Sequence, residues 1–161
     1  MEEAERKALN RRLSRMLRAI FLTSLTAANV CAAHARRAHK GSISVTLTQH
    51  AQELRERATE AARLLSHFGY GRPVSRLFLG PLTWFWGHLT AYTGRQFSLH
   101  MLGNMEAQGA KLTAYAEKVA RELVNVAMVE SLVRMGRAEN ARKRYIISQL
   151  ELASGADSDA N

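Results

Sequence analysis

Cysteine is almost absent from this chain of 161 residues. Cys31 stands alone, which excludes an intrachain disulfide framework and a cysteine-based zinc site. Its setting, NVCAAHA, is that of a small buried hydrophobe. Proline is nearly as scarce: Pro73 and Pro81 are the only two and fall in one segment, so the rest of the chain is free to form long helices. No acid occurs between Glu5 and Glu53, and Phe21 is the only aromatic before Phe68. The N-terminus opens with charges rather than an apolar run, which argues against a secretory signal. No G-x-S-x-G, G-x-G-x-x-G, P-loop or H-E-x-x-H pattern occurs, so neither a nucleophile elbow nor a phosphate cradle is indicated. The six histidines, His34, His39, His50, His67, His88 and His100, show no tight metal spacing and suit surface or capping roles.

What is present is basic and helical. The net charge is +9, and it is uneven: residues 1–80 hold 14 Lys and Arg against 6 Asp and Glu, whereas residues 81–161 hold 9 against 8. The acid-free interval carries Arg6, Lys7, Arg11, Arg12, Arg15, Arg18, Arg36, Arg37 and Lys40. A basic face built on Arg11, Arg12, Arg15, Arg18, Arg36 and Arg37 has three meanings. It is commonly just a solvated helix side, but it also suits an organellar targeting segment or an arm that meets anionic lipid or RNA. Against RNA stands the lack of interleaved aromatics to stack on bases.

Apolar residues recur at three- and four-residue spacing from Leu9 through Cys31, predicting a helix over 2–40 that Gly41 ends. Residues 43–48 alternate like a strand, but no second strand is available to pair with them, so a helix is expected from about Ser42 to Phe68. FGYGRP makes a turn at 68–73. A third periodic stretch runs from about Phe97 to Met128 or beyond, and Met135-Gly136-Arg137 is the only interruption before a last helix. The expected organisation is one helical domain over 1–152, with a disordered tail over 153–161.

Residues 72–95 differ from everything around them. From Leu77 to Gly94 there is no Lys, Arg, Asp or Glu, and the stretch contains both tryptophans. Its length is at the lower edge for a membrane span, and Gly80, Pro81, Gly87 and His88 make it a poor one. It reads better as a hydrophobic helix or hairpin against a bilayer or partner, in contact through Leu77, Phe78, Leu82, Trp84, Phe85 and Trp86. The plain alternative is a buried core helix.

Four patches, in order, carry a resemblance. Arg15-Met16-Leu17-Arg18, Leu25-Thr26-Ala27-Ala28-Asn29, Arg72-Pro73 through Gly94, and Met101 to Ala107 (MLGNMEA) resemble successive segments of the ferritin-like demethoxyubiquinone hydroxylases, membrane-associated di-iron enzymes of ubiquinone biosynthesis. The resemblance implies an all-α, antiparallel ferritin-like bundle with an interfacial hydrophobic element. It also implies two single glutamates and two Glu-x-x-His pairs around the metals. Here Leu25 stands for the first glutamate, and Arg55 and Ala58 stand for the first pair; only Glu106 is kept. None of the twelve glutamates is followed by histidine three residues later.

These residues imply a protein without catalytic residues, metal or cofactor. The expected role is a non-enzymatic accessory or scaffolding subunit of a membrane complex, a respiratory or ATP synthase assembly, peripheral to the mitochondrial inner membrane. Its partners would be other protein subunits and the membrane surface or its lipid. Two alternatives stay open: an active ubiquinone-biosynthesis hydroxylase or quinone- or lipid-binding protein, and a basic RNA-associated protein of an organellar ribosome. Glu106, on an apolar stripe, is the internal acid to watch; a glutamate so placed is expected to pair with an arginine.

Overall fold

The computed structural model describes residues 2–37, 42–71, 81, 85, 88, 89 and 95–158. Four long helices account for nearly all of them: α1 (Glu3–Arg37), α2 (Ser42–His67), α3 (Arg95–Glu122) and α4 (Val126–Ser158). No strand occurs among the described residues, and the 43–48 alternation belongs to α2. There the hydroxyls turn back on the helix or its neighbour: Thr48 Oγ1 donates to the Ser44 carbonyl, and Ser44 Oγ donates to the Ala35 carbonyl of α1.

The helix ends explain the turns. At the end of α2, Gly69 has φ 71°, the Tyr70 amide donates to the Leu65 carbonyl and the Gly69 amide to that of Ser66. This is a Schellman cap, with glycine where the left-handed backbone requires it. The same bond pattern ends α3, but Val124 takes the left-handed position with φ 55°. Asn125 then caps α4, its Oδ1 accepting from the Met128 amide. The break expected at Met135–Arg137 is therefore at Leu123–Asn125 instead. Gly136 continues α4, and a Cβ there would meet the Thr113 methyl at an ordinary contact distance of 3.7 Å. Helical backbone also runs to Ser158, past residue 152 where the sequence suggests a tail.

Two apolar clusters define the topology. One joins Leu13–Phe21 of α1, Ala58–Leu65 of α2, Ala116–Ala120 of α3 and Met128–Met135 of α4. The other joins Ala27–Ala35, Leu47–Leu54, Leu102 and Ile146. So α1 and α2 are antiparallel, as are α3 and α4, while α2 and α3 run parallel. Residues 72–94 connect opposite ends of the bundle, a single long crossover. α1 is long and apolar enough to cross a membrane by composition, but half of its apolar window is buried inside the bundle.

Candidate functional site

Between the two apolar clusters lies a charged layer. α2 brings Glu53 and Arg57, α3 brings Glu106 and Thr113, and α4 brings Glu139 and Arg142. Arg57, Glu106, Glu139 and Arg142 are 6%, 4%, 0% and 3% exposed. Each is a stripe position: Arg57 sits between Leu54 and Ala61, and Glu139 and Arg142 sit between Met135 and Ile146. Helical spacing, which turns those apolar neighbours inward, turns the charges inward too.

The charges satisfy one another across helices. The Arg57 guanidinium pairs with the Glu139 carboxylate and donates from Nη2 to Thr113 Oγ1 at 3.0 Å. Arg142 Nε donates to Glu106 Oε1 at 3.1 Å, and its Nη1 reaches Glu53 Oε2 at 3.5 Å. Two guanidiniums thus face three carboxylates. α1 adds no charge here; Ser24 donates to the Ile20 carbonyl at 2.6 Å, and Ala27, Ala28 and Cys31 continue its small-residue side. Gly109 makes the layer possible. A Cβ there would stand 2.7 Å from Glu139 Oε1 and 3.0 Å from Arg57 Nη1.

Satisfaction is incomplete. Arg57 Nε, Arg142 Nη2 and Glu106 Oε2 are buried without a hydrogen-bond partner among the described residues. Burial pushes the Glu139 carboxyl above its ordinary range, with Arg57 and Thr113 opposing. Burial likewise pushes the nearby Cys31 thiol up to about 12, which makes it an inert core side chain.

The histidines respond oppositely. Burial lowers His34, with Arg37 adding to it, and burial lowers His50 against the pull of Glu53 3.7 Å away. His50 also packs its ring on Tyr145, centroids 5.2 Å apart. Both imidazoles are held below the unfolded value of 6.5, so the unfolded chain takes the proton first. Stability is therefore expected to fall as pH drops below about 6.5, until the folded-state values are passed. Thermal midpoints measured across that window should flatten in His34→Gln and His50→Gln, and an unchanged slope in both variants rules this origin out. Glu139, raised by burial, acts with the opposite sign on further acidification.

With this geometry in place, the likeness to known structures becomes informative. No family model matches the chain, and no curated protein does. Solved structures do. An iron-soaked variant of the ferritin PmFTN (3 h soak) matches with TM-score 0.68 and 11% identity, over 93% of this chain and 92% of that one. Another variant soaked overnight matches with TM-score 0.68 and 12% identity, over 94% and 92%. A 45-minute soak gives TM-score 0.70 at 11% identity over the same shares. The fold is ferritin-like. At such identity the likeness is one of fold.

In ferritin-like di-metal proteins, two helices each bring a glutamate and two bring a Glu-x-x-His pair. Here α4 carries a buried Glu139-x-x-Arg142, in which the residue three positions after the glutamate is a guanidinium. The donor set does not fit a di-iron centre. Its carboxylates already hold cations, and either arginine would repel a metal ion placed among them. Among the described residues no group of three or more His, Cys, Asp or Glu side chains is placed to hold a metal.

The residues matched to family ligands by sequence need correction in part. Glu106 is interior and arginine-paired, as expected. Arg55, however, is exposed, Ala58 is fully buried core, and Leu25 packs beside the apolar cluster. The interior charge of α2 is Arg57, two positions beyond Arg55. Arg57, Glu139 and Arg142 were missed, although each lies on an apolar stripe. Of the expected contact residues, Leu77, Phe78, Leu82, Trp84 and Trp86 lie outside the described residues. Phe85 is 59% exposed and Leu89 is 50% exposed. Arg11, Arg12, Arg15, Arg18, Arg36 and Arg37 are all exposed. They do not form one surface: Arg11, Arg15 and Arg18 line a groove with Tyr70, whereas Arg36 lines a separate hollow with Arg55.

Proposed function

We propose that this chain is a non-catalytic helical accessory or scaffolding subunit of a membrane protein complex at the mitochondrial inner membrane. In this reading it is a degenerate relative of the demethoxyubiquinone hydroxylases that keeps their bundle and docking segment. The observation that carries the non-catalytic part is the pairing of Arg57 with Glu139 and of Arg142 with Glu106 at mid-height of the bundle. A guanidinium offers neither an open coordination position nor a titratable proton near neutral pH, so the layer holds the fold and performs no chemistry. Docking is supported by Phe85 and Leu89, exposed within a run of eighteen residues without charge. The compartment is supported by the Arg-rich, acid-poor N-terminus and the family resemblance.

Two measurements test this reading. Metal analysis after anaerobic loading with ferrous iron and desalting is expected to find only trace iron; stoichiometric iron would falsify the non-catalytic role. Native purification in mild detergent is expected to recover the chain with a large membrane assembly. Recovery as a free soluble protein refutes the scaffolding role.

A further inference from the structure

Four turns of α1 and the turn after α2 enclose an open groove of about 870 Å³. Its cations are Arg6, Lys7, Arg11, Arg15 and Arg18, with Tyr70 as the facing wall. Lys7, Arg11 and Arg15 follow one another at four-residue spacing, so they lie along one side of the helix. Like charges at that spacing repel and work against the helix. Nothing within the described chain relieves them. Arg57, Arg63, Arg121 and Arg142 each meet a glutamate, but no ion pair among the described residues reaches any of the five groove cations. Glu3, at the outer end, is the one acid on the lining.

The wall is fixed from both sides. Arg18 Nη2 donates to the Tyr70 carbonyl at 2.8 Å, and the Tyr70 hydroxyl donates to Asn10 Oδ1 at 2.7 Å. Gly71, with φ 79°, brings the turn close: Arg18 Nη2 is 3.9 Å from where its Cβ would stand. The Tyr70 wall and the Arg18 guanidinium are therefore in place before any ligand arrives.

We propose that this groove binds the phosphate of an anionic phospholipid headgroup. The proposal deepens the membrane reading above by naming what the basic side of α1 engages. Phosphate answers the cluster of uncompensated guanidiniums, which hydrogen-bond it in pairs. Lipid is favoured over RNA by the lining. Tyr70 is its only aromatic, so successive bases find no row of stacking platforms. A few residues beyond the wall residue Tyr70 come Arg72 and Arg76 and then the uncharged run Leu77–Gly94. A cationic groove and an apolar run in succession along the chain match the two layers of a bilayer interface.

Flotation of the full-length protein with vesicles tests the assignment. Vesicles of phosphatidylcholine alone are compared with mixed phosphatidylcholine–phosphatidylglycerol vesicles. The wild type is expected to prefer the anionic vesicles, less so at high salt. The triple variant Lys7→Ala/Arg11→Ala/Arg15→Ala, all exposed positions, is expected to weaken that binding roughly a hundredfold. The charge-matched control Lys111→Ala/Lys118→Ala/Arg137→Ala should change it only a few-fold. Circular dichroism confirms that both triples remain helical. Equal losses in the two triples overturn the groove in favour of net charge. Equal binding of the wild type to both vesicles overturns recognition of an anionic headgroup by the groove but leaves membrane docking standing, and Phe85→Asp/Leu89→Asp then removes the remainder. Salt-sensitive binding to single-stranded oligouridylate, with none to either vesicle, overturns both readings.

Discussion

Arg57→Leu is expected to destabilise the folded chain by about 3–5 kcal/mol, because it leaves the fully buried Glu139 carboxylate without its cation. For a chain of this size that lowers the thermal midpoint by on the order of 10 °C. The double variant Arg57→Leu/Glu139→Leu should recover most of the loss. Removing both partners deletes two desolvation penalties and the orphaned Arg57 Nε together, and apolar replacements of buried pairs are often neutral or better. Urea denaturation of the two single variants and the double closes the cycle. If Arg57→Leu costs less than about 1 kcal/mol, Glu139 is not held by this arginine in a water-poor layer.

Arg142→Met should cost a similar amount, about 3–5 kcal/mol, since Glu106 is 4% exposed and loses the cation it pairs with. Glu53 adds less, being 36% exposed at its side chain. The informative comparison is Arg142→Lys. Lysine keeps the charge but not the fork that lets one guanidinium serve Glu106 through Nε and Glu53 through Nη1. It is expected to restore less than half of the stability, whereas a purely coulombic role predicts nearly full restoration. A cycle with Glu106→Gln, read by denaturant midpoints, should give a coupling of about 1 kcal/mol or more.

These residues also mark where reading the chain succeeds and where it stops. The helical architecture is legible because apolar spacing is local information, and Gly69 announces its turn. Val124 does not: a β-branched residue in the left-handed region is disfavoured by its own sterics. Only Asn125, a good cap, hints that a helix begins there. Gly136 misleads in the reverse direction, because a glycine inside a helix looks the same in sequence as one that ends it. The site was legible through one residue of four. Glu106 stands out as an acid on an apolar stripe. Arg57, Glu139 and Arg142 lie on such stripes equally, but an arginine on a stripe is ordinarily read as snorkelling to solvent. Partner identity is tertiary information: Arg57 and Glu139 are far apart in sequence, and nothing in either helix names the other.

The parallel arrangement of α2 and α3 governs the order in which this chain assembles. α1 with α2, and α3 with α4, are neighbours only a few residues apart in sequence, so each pair closes over a small separation and forms early. Joining the pairs must wait for closure across residues 72–94. In that late step Arg57 and Glu139 lose water together, because their pair bridges α2 to α4, whereas Arg142 and Glu106 already meet within the α3–α4 hairpin. Arg57 with Glu139, and Arg142 with Glu53, link one early hairpin to the other. A sliding mismatch by a single turn would part Arg57 from Glu139 and Arg142 from Glu53. The charged layer thus serves as a checkpoint on alignment: two preformed hairpins come to rest where the α2 charges meet their partners on α4.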